Sequence, residues 1–233
     1  MTNRRISLLM PLVAALALGA HLQPAHAQPS HHAGPPQYYG AATAVAPTVD
    51  GQVQRLLINP FGEVDGLLLA DGRVVKMPPH LGEAVAAVVA PGQTVRVGGY
   101  AHGYSPNTIE ALTVTNLQTG QTVVDQGPPW PRVPKMPPHL RMATLSQLQV
   151  SGVVQTLLHG RHGEVNGVIL DNGAIVRFPP HAMMVPPQPG QTLSAVGLGT
   201  RNQYGLALEA TALGPQAGAF VPFTGHGQPP RPR

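Results

Sequence analysis

The sequence predicts an all-β protein of two tandem five-stranded barrels, with at most one short helix in each, joined by a proline-rich linker. The first observation is an internal repeat: Gly51–Leu81 reappears as Gly152–Ala182 at a fixed offset of 101 residues, with 15 of 31 positions identical. The second is composition, because 27 Gly, 27 Pro and only 10% charged residues are typical of turn-rich β structure. The third is that each copy has an Asp-Gly or Asn-Gly turn between apolar runs.

The first 27 residues have the pattern of an export signal. Arg4 and Arg5 precede an apolar run over residues 6–20, and Ala25-His26-Ala27 forms a small-x-small cleavage site. We therefore expect cleavage after Ala27 and a periplasmic or secreted mature chain. No later segment approaches the roughly 18 apolar residues that a membrane helix needs, so we do not expect the chain to span a membrane.

The rest of the chain divides into repeats and linkers. We expect a Pro/His-rich linker over residues 28–48, the first repeat over 49–125, a proline-rich linker over 126–143, the second repeat over 144–213 and a disordered tail over 214–233. Six prolines between residues 126 and 143 favour an extended polyproline conformation over a packed element.

Within the first repeat, apolar runs predict strands over residues 53–58, 64–69, 73–77, 95–100 and 108–116, with residues 122–124 extending the last. Pro78-Pro79 precedes an Ala- and Val-rich stretch that predicts a short helix. The second repeat has a shorter connection with Pro186 and Pro187, which argues against a helix there. Apolar positions identical in both copies are predicted to lie inside the barrels: Leu56, Leu57, Leu69 and Val75 in the first, and Leu157, Leu158, Leu170 and Val176 in the second.

Three motifs carry a family resemblance: Gly51-x-Val53, the hairpin region Gly62–Gly72, and Pro91-Gly92-Gln93-Thr94-Val95-x-Val97-x-Gly99. With this order of elements, the chain resembles the oligonucleotide/oligosaccharide-binding (OB) barrel and looks like the tandem OB-like modules of secreted bacterial proteins. The resemblance covers both repeats and implies no catalytic residues. A pair of SH3-like barrels, which use similar turns, is the alternative architecture.

OB barrels bind ligands across strands two and three and with the loops after strands one and four. The resemblance therefore places Phe61, Tyr100, His102, Tyr104 and Tyr204 near ligand-facing loops. Without Arg4 and Arg5, the chain carries 12 cations against 10 carboxylates, which is too balanced for a nucleic-acid footprint. We expect an envelope protein, a peptide or a saccharide as the partner.

Copper binding is the alternative function. The Pro-Pro-His element occurs at His80, His139 and His181, and every methionine after the export signal lies within three residues of one of these histidines. Imidazole and thioether groups together are ligands that suit Cu(I), and Met136, His139 and Met142 in the linker are the candidate ligands. The simpler interpretation is that Pro-Pro ends a strand and methionines fill gaps in the core.

No residue pattern indicates an enzyme. Glu63 and Asp65 are two residues apart and would lie on the same face of a strand, where two carboxylates could act together. Carboxylates that flank a Gly-rich turn, however, are usually solvated turn residues. His159 and His162 are interpreted as exposed loop histidines. The chain has no cysteine and shows neither a nucleophile–base signature nor a phosphate-cradling glycine loop before a helix.

Overall fold

The computed structural model describes residues 48–102, 104–128, 136–180 and 185–223, apart from the side chains of His102 and Pro106. The described part is nearly all β and contains two closed five-stranded barrels in tandem, which confirms the predicted fold class. The predicted export signal, the first linker up to residue 47 and His181 lie outside the described residues. No helix in the described ranges is long and apolar enough to cross a membrane.

The first barrel follows the strand pattern predicted from its sequence. After the third strand, a single 3-10 turn over Pro79–Leu81 leads into the short helix. The elements are β1 (Thr48–Ile58), β2 (Val64–Leu69), β3 (Val74–Lys76), α1 (Gly82–Val88), β4 (Thr94–His102), β5 (Ser105–Asn116) and β6 (Thr122–Val124).

The second barrel repeats the order of the strands. A linker helix, α2 (Pro138–Ala143), precedes it. Its strands are β7 (Ser146–His159), β8 (Val165–Leu170), β9 (Ile175–Arg177), β10 (Thr192–Asn202), β11 (Gly205–Gly214) and β12 (Val221–Pro222).

Both barrels close in the same way. In the first, β1, β2 and β3 form an antiparallel meander, and β4 pairs with the early part of β1. Strand β5 pairs antiparallel with β4 and parallel with β3, which closes the barrel. In the second, β11 likewise pairs with β10 and, in parallel, with β9. This connectivity is OB-like, with β6 and β12 added at the edge of each sheet.

The alternation of β1 determines what lies inside the first barrel. Leu56 pairs with Leu67, whereas Leu57 pairs with Gly66, so adjacent leucines point to opposite sides of the sheet. Leu56, Leu69 and Val75 are buried as predicted. Leu57 is also buried, but it faces outwards, where it lines a void shared with the second barrel. Its placement inside the barrel was therefore wrong.

The second barrel shows the same pattern with one further difference. Leu170 and Val176 belong to its interior cluster, as predicted. Leu158, the equivalent of Leu57, instead packs with the cluster of the first barrel, so its predicted interior position was wrong. Leu157 points towards its own core but remains partly exposed near the end of β7.

The last part of the proline-rich linker is helical rather than extended. Proline is tolerated in the first turn of a helix, where its missing N–H is not needed, and Pro138 begins α2. The residues that follow, His139 to Ala143, contain no further proline. The extended conformation expected through residue 143 is therefore wrong for Pro138–Ala143.

Candidate functional site

The two barrels pack against each other through the same face of each repeat. This face is the outer surface of the meander β1–β2–β3 and its counterpart β7–β8–β9. Outward-facing side chains at equivalent positions join one apolar cluster. The equivalent pairs are Leu57 and Leu158, Leu68 and Ile169, and Val74 and Ile175, and each of the six is at most 4% exposed. In OB barrels this surface belongs to the ligand-binding region, and here the other barrel covers it.

Charged groups at the edge of this interface join the barrels. An Arg177 Nη2 atom lies 3.3 Å from Asp65 Oδ2, and the Lys76 ammonium donates to the His159 carbonyl oxygen at 3.3 Å. Burial raises the pKa of Asp65, although the positive charges of Arg177 and Lys76 oppose the shift. Burial also lowers the pKa of His159, which is therefore not the exposed loop histidine that we expected. Asp65 likewise is not a solvated turn residue.

A void of about 10 Å³ lies among these groups, lined by Leu57, Leu158 and Asp65 among others. Its size is at the lower limit of what one water molecule needs. The buried Asp65 Oδ1 atom has no hydrogen-bond partner among the described residues. The space is too small for a substrate, so the void does not make Asp65 an active-site residue.

The loops of each barrel also contact the other barrel. The Asn202 side-chain amide, at the end of β10, donates to the Gly62 carbonyl oxygen at 2.8 Å. In the β7–β8 loop, Gly163 lies so close to Tyr104 of the first barrel that an added side chain would meet the Cβ atom and the carbonyl oxygen of Tyr104. The β1–β2 loop therefore lies against the β10–β11 hairpin, and the β7–β8 loop lies against the β4–β5 hairpin.

The predicted ligand-facing aromatic residues do not form one surface. Phe61 is about one-third exposed, and the Arg141 guanidinium lies 4.0 Å above its ring. Tyr204 packs against the apolar cluster of the first barrel and is partly buried. Tyr100 and Tyr104 are 55% and 77% exposed on the β4–β5 hairpin. The side chain of His102 lies outside the described part. That these loops face a ligand stays a prediction.

The candidate copper ligands lie on and just before α2. Met136 and Met142 are about half exposed, and His139 is also exposed. His139 and Met142 are three residues apart on α2 and share a helix face. The helix does fold back onto the first barrel, since Arg141 pairs with Glu63 at 3.0 Å. Among the described residues, no three His, Cys, Asp or Glu side chains form a metal-binding group, and copper binding stays a prediction.

The other Pro-Pro-His element that the structure describes has a structural contact. His80 Nε2 lies 3.1 Å from Asp125 Oδ1, so the imidazole connects the 3-10 turn after β3 to the end of the first repeat. Glu63 is held by the Asn59 side-chain amide at 2.7 Å as well as by Arg141. Glu63 and Asp65 thus have different partners, although the negative charge of Glu63 also contributes to the raised pKa of Asp65.

A groove of about 510 Å³ opens where the second barrel meets β1 of the first. Its polar lining comes from Arg55 on β1, Gln149 and Ser151 on β7, Asn172 in the β8–β9 turn, and Arg201 and Asn202 at the end of β10. Its volume lies within the range of small-molecule sites. Two guanidinium groups and no carboxylate line it.

Sequence reasoning missed this groove because its residues are distant in the chain and follow no spacing pattern. For the interface between the barrels, by contrast, one signal was available in the repeat. Val74 and Ile175 lie on the outward face of their strands and are apolar in both copies, which indicates a surface covered by something. Lys76 and Arg177 lie on the same faces, and charged residues are typical of a face open to solvent, so the apolar signal is easily overlooked.

Comparison with known proteins identifies no family. No family model matches the chain, and no curated protein matches it. Among solved structures, the chain is similar to the "Crystal structure of the tetrameric p202 HIN2", with 14% sequence identity over 72% of this chain and 89% of that chain, and a TM-score of 0.25. With so low a TM-score, this similarity carries no argument about function.

Proposed function

We propose that the chain is an exported, non-enzymatic binding protein that contacts an envelope partner, either a protein, a peptide or a saccharide, through the β4–β5 hairpin of its first barrel. The observation that carries this proposal is the exposure of Tyr100 and Tyr104, which present more than half of their surface to solvent. Tyrosine combines a large apolar body with a hydroxyl group, and it is enriched at binding interfaces for that reason.

The packing of the barrels supports this choice of surface. The meander face of each barrel is covered by the other, so an OB-type ligand cannot reach it without separating them. Tyr104 is supported from behind by Gly163 of the second barrel. The hairpin is thus held by two barrels, and a rigid aromatic anchor loses less entropy on binding than a mobile one. The predicted export signal supports an envelope partner.

The test is isothermal titration calorimetry of the mature protein with oligosaccharides, peptides and single-stranded DNA at two salt concentrations, a readout that does not depend on the tyrosines themselves. A Tyr100→Ser/Tyr104→Ser variant should lose binding of a peptide or oligosaccharide. Val221→Ser, which changes an exposed apolar residue on β12, should retain it. Binding of single-stranded DNA that falls steeply with salt would instead indicate phosphate contacts and overturn the proposed partner class.

A further inference from the structure

We propose that the groove between the barrels is a binding site for a small polar anion that carries carboxylate or phosphate groups. This site is separate from the tyrosine hairpin and goes beyond the function proposed above. It is formed by both barrels, because Arg55 belongs to the first and the rest of the lining to the second. A ligand held there would touch both barrels at once.

The charges of the groove are the first argument. Arg73, Arg96, Arg141 and Arg177 each lie within 3.3 Å of a carboxylate oxygen. Among the described arginines, Arg55, Arg161 and Arg201 form no ion pair with a described residue, and of these only Arg55 and Arg201 line the groove, whose lining has no carboxylate. Guanidinium groups match the geometry of carboxylate and phosphate oxygens. The groove thus concentrates uncompensated positive charge in a nearly neutral chain.

The second argument is the setting of Arg55. Its Nε atom is buried and has no hydrogen-bond partner in the described structure. Leaving such a donor unpaired is costly, and a ligand in the groove would contact the outer guanidinium nitrogens rather than this buried atom. The guanidinium lies directly over Gly173, where an added Cβ atom would collide with Nη1 of Arg55. A glycine at this turn therefore leaves the space that the arginine occupies.

The repeat provides the third argument. At the offset of 101 residues, the equivalent of Arg55 is Thr156. At the ends of β4 and β10, where the hairpin pairs His102–Ser105 and Asn202–Gly205 correspond, the equivalent of Arg201 is Ala101. Neither equivalent is charged, so the barrel fold does not require a cation at either position. Each arginine is present in only one copy of the repeat, and both line the same groove.

The remaining lining combines Val150, Ala174 and Leu206 with polar residues, and the polar groups favour a hydrophilic ligand. Gln149 is exposed on β7, and its amide forms no hydrogen bond within the described residues. Ser151 accepts a hydrogen bond from Ser194 at 2.8 Å, which leaves its own hydroxyl proton available to a ligand. No aromatic ring lines the groove, so its described residues offer no surface on which a base or an apolar ring of a ligand could stack. We therefore expect a polar anion rather than an aromatic one.

The test is isothermal titration calorimetry of the full mature chain with citrate, pyrophosphate and maltose, a neutral control. Wild type should bind citrate or pyrophosphate and not maltose, and the stronger of the two anions identifies the carboxylate or phosphate class. Arg201→Gln should weaken that binding about tenfold or more, since it removes one charge-assisted contact. Arg161→Gln should leave it unchanged, because Arg161 is an exposed arginine outside the groove.

Arg201 is exposed, so its substitution should not disturb folding. Arg55→Gln is the second variant, checked by circular dichroism, and should also weaken anion binding. The proposal is overturned if neither anion binds up to about 10 mM, or if Arg161→Gln weakens binding as much as Arg201→Gln. Loss of the tyrosine-dependent binding would not affect this result, because Tyr100 and Tyr104 do not line the groove.

Discussion

Leu158→Ala tests whether the two barrels form one cooperative unit. The side chain is only 2% exposed and packs with the cluster of the first barrel. Removing a buried leucine side chain costs the lost transfer free energy, about 1.5–3 kcal/mol, and a further amount for the cavity. The new space would adjoin the existing void, which Leu158 already lines. We therefore expect a loss of about 2–5 kcal/mol in the free energy of unfolding.

The assay is urea unfolding followed by far-ultraviolet circular dichroism, with linear extrapolation to water. Leu112→Ala is the control of identical chemistry at a partly exposed position on β5, and it should cost much less. A double-mutant cycle with Leu57→Ala should show a coupling of about 0.5–3 kcal/mol, because both leucines line one void. Additive effects, or a loss for Leu158→Ala below about 0.5 kcal/mol, would refute the interface.

Three further outcomes follow from the structure. Burial raises the pKa of Asp65, so the folded state favours the protonated carboxyl group. The stability that this group contributes is fully present below the ordinary aspartate pKa, and it is lost as the pH rises through the pKa of the folded state. Asp65→Asn should therefore be more stable than wild type at neutral pH and lose this advantage in acid, as thermal melts at several pH values will show. Gly167→Ala should destabilise the second barrel by about 1–3 kcal/mol in urea unfolding, because its Cβ atom would lie 2.7 Å from the Val176 carbonyl oxygen. Arg141→Ala should lower global stability by no more than about 1 kcal/mol yet increase hydrogen exchange across α2, because the contact with Glu63 anchors that helix; unchanged exchange would contradict this role.

Local patterns predicted much of each barrel. Asp71-Gly72 and Asn172-Gly173 have the composition of tight hairpin turns, and both glycines adopt positive φ angles, near 85° and 81°. The apolar identity of Val75 and Val176 in the two copies correctly placed both inside their barrels. These features depend on residues that are close in sequence, where the period of a strand determines which side chains share a face.

The relation between the barrels could not be obtained in this way. Arg177 pairs with Asp65 from the other repeat, and no short-range rule connects them. Leu57 illustrates the same limit, because a buried position inside a barrel and one beneath a second barrel both require an apolar side chain. The helix α2 was missed for another reason: the density of prolines before it outweighed the helix-compatible residues after Pro138.

The packing of equivalent faces has a consequence for how the two copies diverge. The contact has the form of a symmetric dimer whose subunits have been joined into one chain, and the connection replaces a bimolecular association by an intramolecular one at high effective concentration. The halves therefore no longer need to be self-complementary. One copy carries Asp65 and Lys76 where the other carries Asn166 and Arg177. The two arginines of the groove, one from each barrel, lie together at one edge of the contact. A pair of identical subunits would have to present any such groove twice, whereas the joined chain presents it once.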